Sequence, residues 1–129
     1  MGNNCQLIVN GKDITENVYV HLNLEQRYAE LPLTAVAKAL GASVKWEKAT
    51  RATIKFDGKK YVLDTAKNSL YDRETNANLI ALPPGTPHAA YYQVRDGEFI
   101  VDSDTMWGFV YLMGARIKIN FDERIITIE

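Results

Sequence analysis

The sequence is poor in the residues on which much protein chemistry depends. It holds one cysteine, Cys5, in 129 residues, which excludes an internal disulfide and a multi-cysteine metal site. Its two histidines, His21 and His88, stand 67 positions apart. It has no Gly-x-Ser-x-Gly elbow and no glycine-rich phosphate loop. No apolar run approaches the ~18 residues of a membrane-spanning helix. Charge of one sign is not in excess: 15 Lys+Arg against 16 Asp+Glu leave a net charge of −1. A nucleic-acid binder usually carries a basic surplus, so the balance argues against that class. Proline is scarce except in one place. Pro83, Pro84 and Pro87 fall within five residues and exclude a helix or a central strand there.

What is present is ordinary for a globular chain. The apolar fraction is 47% and the charged fraction 24%, both typical of folded domains and inconsistent with wholesale disorder. The length fits one domain or two very small subdomains. A chain of this size buries roughly 65–70% of its unfolded surface, enough for a real core. The opening Met1-Gly2-Asn3-Asn4-Cys5 lacks the basic start and apolar stretch of a signal peptide. The expectation is a cytosolic chain or one whose export leader precedes these residues. Cys5 reads as an unpaired surface thiol near a frayed terminus. The alternative is the lipid-bearing cysteine of a lipoprotein, although Asn3 and Asn4 stand where small residues are usual. Gln6 replaces the Ser or Thr that a myristoylation site at Gly2 would want.

The hydrophobic pattern contains a repeat. Leu33, Val36, Ala37 and Leu40 follow the i, i+3, i+4, i+7 spacing of one helix face. Pro32 suits a first helical position, and Gly41 suits the left-handed residue after a helix end. The spacing predicts a helix over 32–40. Met106, Phe109, Val110 and Met113 repeat the pattern, with Asp102 or Ser103 to cap the start and Gly114 to close the end. The offset from Gly41 to Gly114 is 73, and it also pairs Ala42 with Ala115, Val44 with Ile117 and Trp46 with Ile119. After each helix the residues alternate apolar and polar, as half-buried strands do. Val44-Lys45-Trp46 leads to Ala52–Phe56, and Ile117-Lys118-Ile119 leads through Asp122-Glu123-Arg124 to Ile126-Thr127-Ile128.

Other strands attach to these units. Asn10-Gly11 and Asp57-Gly58 each lie between alternating segments and predict type I′ hairpins, because both central residues tolerate positive φ. Tyr91–Val94 and Phe99–Val101 around Arg95-Asp96-Gly97 predict a third hairpin. Leu70-Tyr71 and Leu79–Leu82 offer a further short pair. The stretch 65–90, which contains the proline cluster, is long for a structureless connection and reads as a linker or a functional loop. The expected division is a first unit over 1–64, a connecting loop over 65–90 and a second, divergent unit over 91–129.

The run from Pro32 to Trp46, Pro-Leu-Thr-Ala-Val-Ala-Lys-Ala-Leu-Gly-Ala-Ser-Val-Lys-Trp, resembles the signature of the copper amine oxidase N-terminal-like, or stalk, domain. Val9-Asn10-Gly11-Lys12 resembles the first hairpin of that family, and Ala52-Thr53-Ile54 with Asp57-Gly58-Lys59 fits its later strands. The sequence departs from the pattern at Thr34, where a basic residue is common, and at Glu47, where aspartate is usual. The second copy has Thr105 in place of the proline and Ile119 in place of the tryptophan. Despite its name, the family is not the part of amine oxidases that holds copper or the quinone. The resemblance implies a non-catalytic interaction or spacer module, without cofactor or metal, of a bacterial secreted or cell-surface protein. Its partner would be a cell-wall component or another protein.

The chemical groups fit the same expectation. His21 alternates as the polar face of a strand would, and His88 follows the proline cluster; neither has the company of a catalytic or ligand histidine. Asp102-Ser103-Asp104 resembles part of a cation loop but lacks its glycine and distal glutamate, so helix capping explains it better. Trp46 continues an apolar strand face and belongs to the core. Trp107 lies off the apolar stripe of its helix, with Tyr111 four residues on. Together with Tyr91 and Tyr92 these form the candidate binding surface, since exposed aromatic anchors mark interfaces. The other reading is that the Pro83–Pro87 loop covers Trp107.

The expected fold is α+β: two pseudo-repeats, each a small antiparallel sheet packed on one short helix. The leading function is a non-catalytic binder or spacer. One alternative is a small glycan-processing enzyme using carboxylates such as Glu47, Asp102 and Asp104, which needs two of them roughly 5–10 Å apart across a cleft. Another is a self-assembling scaffold in which exposed sheet edges pair between chains.

Overall fold

The computed structural model describes residues 3–64, 69–77, 93–95 and 98–129. In chain order the elements are β1 (Gln6–Val9), β2 (Lys12–Asp13), β3 (His21–Asn23), β4 (Tyr28–Pro32), α1 (Leu33–Ala39), β5 (Ser43–Lys48), β6 (Arg51–Phe56), β7 (Lys59–Asp64), β8 (Ser69–Asp72), β9 (Gln93–Arg95), β10 (Glu98–Asp102), α2 (Ser103–Leu112), β11 (Ile117–Asn120) and β12 (Ile125–Ile128). The class is mixed α+β, with the strands in three four-stranded sheets ordered β11-β12-β1-β2, β3-β4-β10-β9 and β5-β6-β7-β8.

Local chemistry explains the turns. Asn10 and Gly11 have φ of 51° and 78°, and Asp57 and Gly58 have 49° and 78°. Positive φ at both central residues is what a type I′ hairpin requires, and the flanking pairs Val9↔Lys12 and Phe56↔Lys59 close as expected. Arg95↔Glu98 joins β9 to β10, and Leu63↔Leu70 places β8 against β7. The expected partner Leu79–Leu82 lies outside the described residues, as does the Pro83–Pro87 loop.

The two helices end alike. The Gly41 and Ala42 amides donate to the carbonyls of Lys38 and Ala37, and the Gly114 and Ala115 amides donate to those of Tyr111 and Val110. Gly41 and Gly114 have φ of 103° and 79°. This is the Schellman arrangement, and it satisfies carbonyls that the helix itself leaves open. The buried Ala42 and Ala115 then turn each chain back toward the core.

Where the core sits depends on the central sheet. β4 runs directly into α1 and β10 directly into α2, and the two strands pair antiparallel through Ile100↔Pro32, Val101↔Leu31 and Asp102↔Glu30. We expected each helix to pack on its own sheet; the packing crosses over instead. α1 touches β10 as well as β4 and β5, and α2 touches β4 as well as β10 and β11. Leu33, Val36 and Ala37 from α1 share one buried cluster with Met106, Phe109, Val110 and Met113 from α2. Leu40 and Trp46 are half-buried against it. Helices of 7 and 10 residues are too short to be stable without tertiary packing, and a sheet common to both gives each a second strand to cover.

A second expectation also needs correcting. The sheet that follows α2 is not wholly antiparallel, because β1 pairs with β12 in parallel, from Gln6↔Ile125 to Val9↔Ile128. Without β1, β12 would present a row of unpaired amides and carbonyls at an open edge. Leu7 and Val9 bury beside Ile126 and Ile128 in the same cluster.

The N-terminal segment is tied down rather than frayed. The Asn4 side-chain amide donates to the Leu22 carbonyl and its oxygen accepts the Leu22 amide, both at 2.9 Å. It thereby imitates a strand along the edge of β3. Asn3 donates to the carbonyls of Thr15 and Val18 at 2.9 Å. Cys5 is accordingly not a surface thiol: it is 8% exposed and belongs to the core. Burial pushes the thiol up to about 11, with the Leu22 backbone and Arg124 pulling it part of the way back.

Candidate functional site

The candidate site grows from the start of α2. Asp102 ends β10 in an extended conformation, and its carboxylate accepts the Thr105 amide at 2.8 Å. This N-cap satisfies one of the helix's open donors and places negative charge at its positive end. From that start the 3.6-residue period sends Met106, Phe109 and Val110 into the core and Trp107 and Tyr111 outward. Residues four apart on a helix are neighbours, and these two rings stack, with centroids 5.6 Å apart and planes 24° from parallel. Trp107 is 52% exposed, Tyr111 50% and the adjacent Leu112 41%. Three of the four large apolar side chains exposed among the described residues thus lie on α2.

The C-terminal turn adds a cation. The Schellman fold-back brings Arg116 beside α2, with its guanidinium 4.5 Å from the centre of the Tyr111 ring. Its Nη1 also donates to the Ala115 carbonyl at 3.0 Å. The result is a stack of guanidinium, phenol and indole along the outer face. Arginine over an aromatic face is held by the ring quadrupole, a contribution of about 0.5–1 kcal/mol at an exposed site. Such a surface can stack on the apolar face of a sugar ring or on the side chains of a protein.

Of the other sequence candidates, Tyr91, Tyr92 and His88 lie outside the described residues. His21 is exposed on β3. The three carboxylates considered for glycan chemistry have separate surroundings. Asp102 is 2% exposed and engaged as the α2 cap. Glu47 is exposed on β5, accepting from the Thr53 hydroxyl at 3.3 Å. Asp104 is exposed in the first turn of α2. Among the described residues no group of three His, Cys, Asp or Glu side chains could hold a metal ion.

No family model, curated protein or solved structure matches the chain.

Sequence reasoning missed two residues that matter here. Arg116 carried a usable signal: it follows Gly114-Ala115, and a left-handed glycine turns the next residues back along the helix. Glu98 carried none. Its carboxylate accepts the Ala35 amide at 2.7 Å and the Thr34 hydroxyl, so it caps α1 from 63 residues away. Pro32, at the N-cap, supplies no capping side chain.

Proposed function

We propose that the chain is a non-catalytic interaction module of a bacterial secreted or cell-surface protein, a divergent relative of the copper amine oxidase N-terminal-like family. The binding face is the outer surface of α2, and the partner is a cell-wall glycan. The observation that carries the reading is the exposed stack of Trp107, Tyr111 and Arg116, continued by Leu112. A helix whose inner stripe already fills the core has no structural need for two exposed aromatic rings. Sugar rings present flat C–H faces that such a stack accommodates. The family relationship rests on the Pro32–Trp46 run and on the turn residues.

Within this reading the chain is built from two copies of one unit. The equal helix ends, the strand leading directly into each helix and the antiparallel pairing of those two strands support it.

The test is co-sedimentation of the purified protein with isolated Gram-positive cell walls, comparing wild type with Trp107→Ala and Tyr111→Ala. The proposal expects saturable binding that both variants lose while they keep their thermal unfolding temperature. Binding retained in both variants moves the site off α2. Absence of binding by the wild type removes the wall as the partner.

A further inference from the structure

A second surface of different chemistry lies on the sheet β5-β6-β7-β8. Residues 43–73 hold eight of the fifteen Lys and Arg residues and four of the sixteen Asp and Glu residues. That segment therefore carries +4 in a chain whose net charge is −1. The pleat sorts the charge. Val44, Trp46, Ala52, Ile54 and Tyr61 pack on the core, so the alternate positions face away from it.

Those positions line a groove of about 420 Å³ containing Lys45, Lys55, Lys60 and Arg73, with the hydroxyls of Ser43 and Thr53 between them. Glu47 at one end is the sole carboxylate among the described residues lining the groove, and it accepts from the Thr53 hydroxyl. The register aligns three of the cations, Lys55, Lys60 and Arg73, in a row across the strands, with Lys45 beside it opposite Thr53. Ser43 is opposite Lys55, and Lys55 is opposite Lys60. The Arg73 amide donates to the Lys60 carbonyl at 3.0 Å, which adds Arg73 to the row. Strands lie about 4.8 Å apart, so these three cations span roughly 10 Å.

The Lys55–Lys60 pair is unfavourable by itself, since like charges directly opposite each other destabilise a sheet. Among the described residues, none of the four cations has a carboxylate within ion-pair distance. An anion laid along the row would relieve that repulsion. Lysine binds phosphate well as a point charge, and the neighbouring hydroxyls can donate to its oxygens. Among the described residues no aromatic ring lines the groove; Tyr71, opposite Val62 on the same face of the sheet, lies outside that lining. Single-stranded nucleic acids need stacking platforms for their bases, and the described lining of this groove is cations and hydroxyls instead.

We propose that the groove lined by Lys45, Lys55, Lys60 and Arg73 on the outer face of the β5-β6-β7-β8 sheet binds a linear phosphate-bearing polymer that carries no bases. The surface uses no residue of the α2 aromatic stack, so the failure of either inference leaves the other standing.

Fluorescence anisotropy with labelled long-chain inorganic polyphosphate tests this on the full chain. Poly-uridylate and poly-glutamate serve as comparators, and each titration is repeated over a salt series. The wild type is expected to bind polyphosphate more tightly than either comparator. Lys55→Gln/Lys60→Gln should bind about tenfold more weakly at low salt, with the slope of log K against log salt shallower by about 1.5, because each cation–phosphate contact on a single-stranded polyanion releases about 0.7 of a counterion. Lys45→Gln should show about half that change in slope. Lys118→Gln, on β11, should behave as wild type. Thermal unfolding of each variant checks that the fold is intact. Absent binding overturns the proposal, as does equal weakening by Lys118→Gln. Tighter binding of poly-uridylate reassigns the groove to nucleic acid, and tighter binding of poly-glutamate removes the preference for phosphate; either result overturns the proposed occupant.

Discussion

α1 and α2 end in the same way and begin in opposite ways. α2 is capped by its own neighbour, Asp102, three residues before the amide that it binds. α1 starts after a proline that offers no side-chain acceptor and is capped by Glu98 from the far half of the chain. Their outer faces differ as well. α1 shows the solvent a half-buried Ala35 and an exposed Lys38, whereas α2 shows Trp107, Tyr111 and Leu112. α1 is therefore a helix that the tertiary fold completes. α2 starts from local chemistry and leaves an aromatic face exposed, the one used in the proposed function. The contrast shows that a repeated apolar stripe sets a helix's inner face but neither its cap nor its outer role.

The largest expected effect removes what the helices share. Phe109→Ala, at a fully buried position in the common cluster, should cost about 3–5 kcal/mol. Because both helices lie on one core, amide exchange should lose protection in α1 as much as in α2. Loss confined to α2 would break the account of a shared core.

Glu98→Ala separates the helices. It strands the Ala35 amide and the Thr34 hydroxyl and should cost about 2 kcal/mol, read from the denaturant midpoint. The first-turn amides of α1 should exchange faster while those of α2 do not. Asp102→Ala should give the reverse pattern at about 1–2 kcal/mol.

Alkaline pH offers a similar effect without a core truncation. The Cys5 thiol is raised from 9.0 to about 11 by burial. Below 9 both folded and unfolded chains keep the proton, and the full stability is present. Between about 9 and 11 the unfolded chain gives up its proton first, so stability falls by about 2 kcal/mol across that interval. Tyr61, whose hydroxyl is also raised by burial and by Asp72, extends the loss to higher pH. Urea titrations at pH 8 and 11 measure the drop, and Cys5→Ala should flatten it.

The smallest effect sharpens the picture of α2. Gly108 lies inside that helix, and a Cβ added there would meet nothing within 4 Å. Gly108→Ala should stabilise by about 0.5–1 kcal/mol, through a less flexible unfolded chain. It should leave binding through Trp107 and Tyr111 unchanged.

Much of the local architecture was legible in the residues. The two stripes, the glycine at each helix end and the two type I′ turns all follow from preferences expressed within a few positions. Trp107 was also legible, because a residue off the stripe of a short helix faces outward. Asp102 was readable as a cap for the same local reason. Cys5 was misread because nearness to a terminus says nothing about Asn4, which imitates a strand along β3, or Asn3, which holds the Thr15 and Val18 carbonyls. Glu98 was invisible as a cap, since nothing near it in sequence needs one.

By itself the sequence determined the class of most elements, though not of β4 (Tyr28–Pro32), and which face of each helix is apolar. Those properties depend on backbone preferences and periodicity over one or two turns. Tertiary structure alone decided that β1 runs parallel to β12, that β4 pairs with β10 and that Glu98 reaches α1. Each of these joins groups more than 60 residues apart. Such pairings are selected by which edges and amides the assembled core leaves unsatisfied, and no local run of residues carries that information.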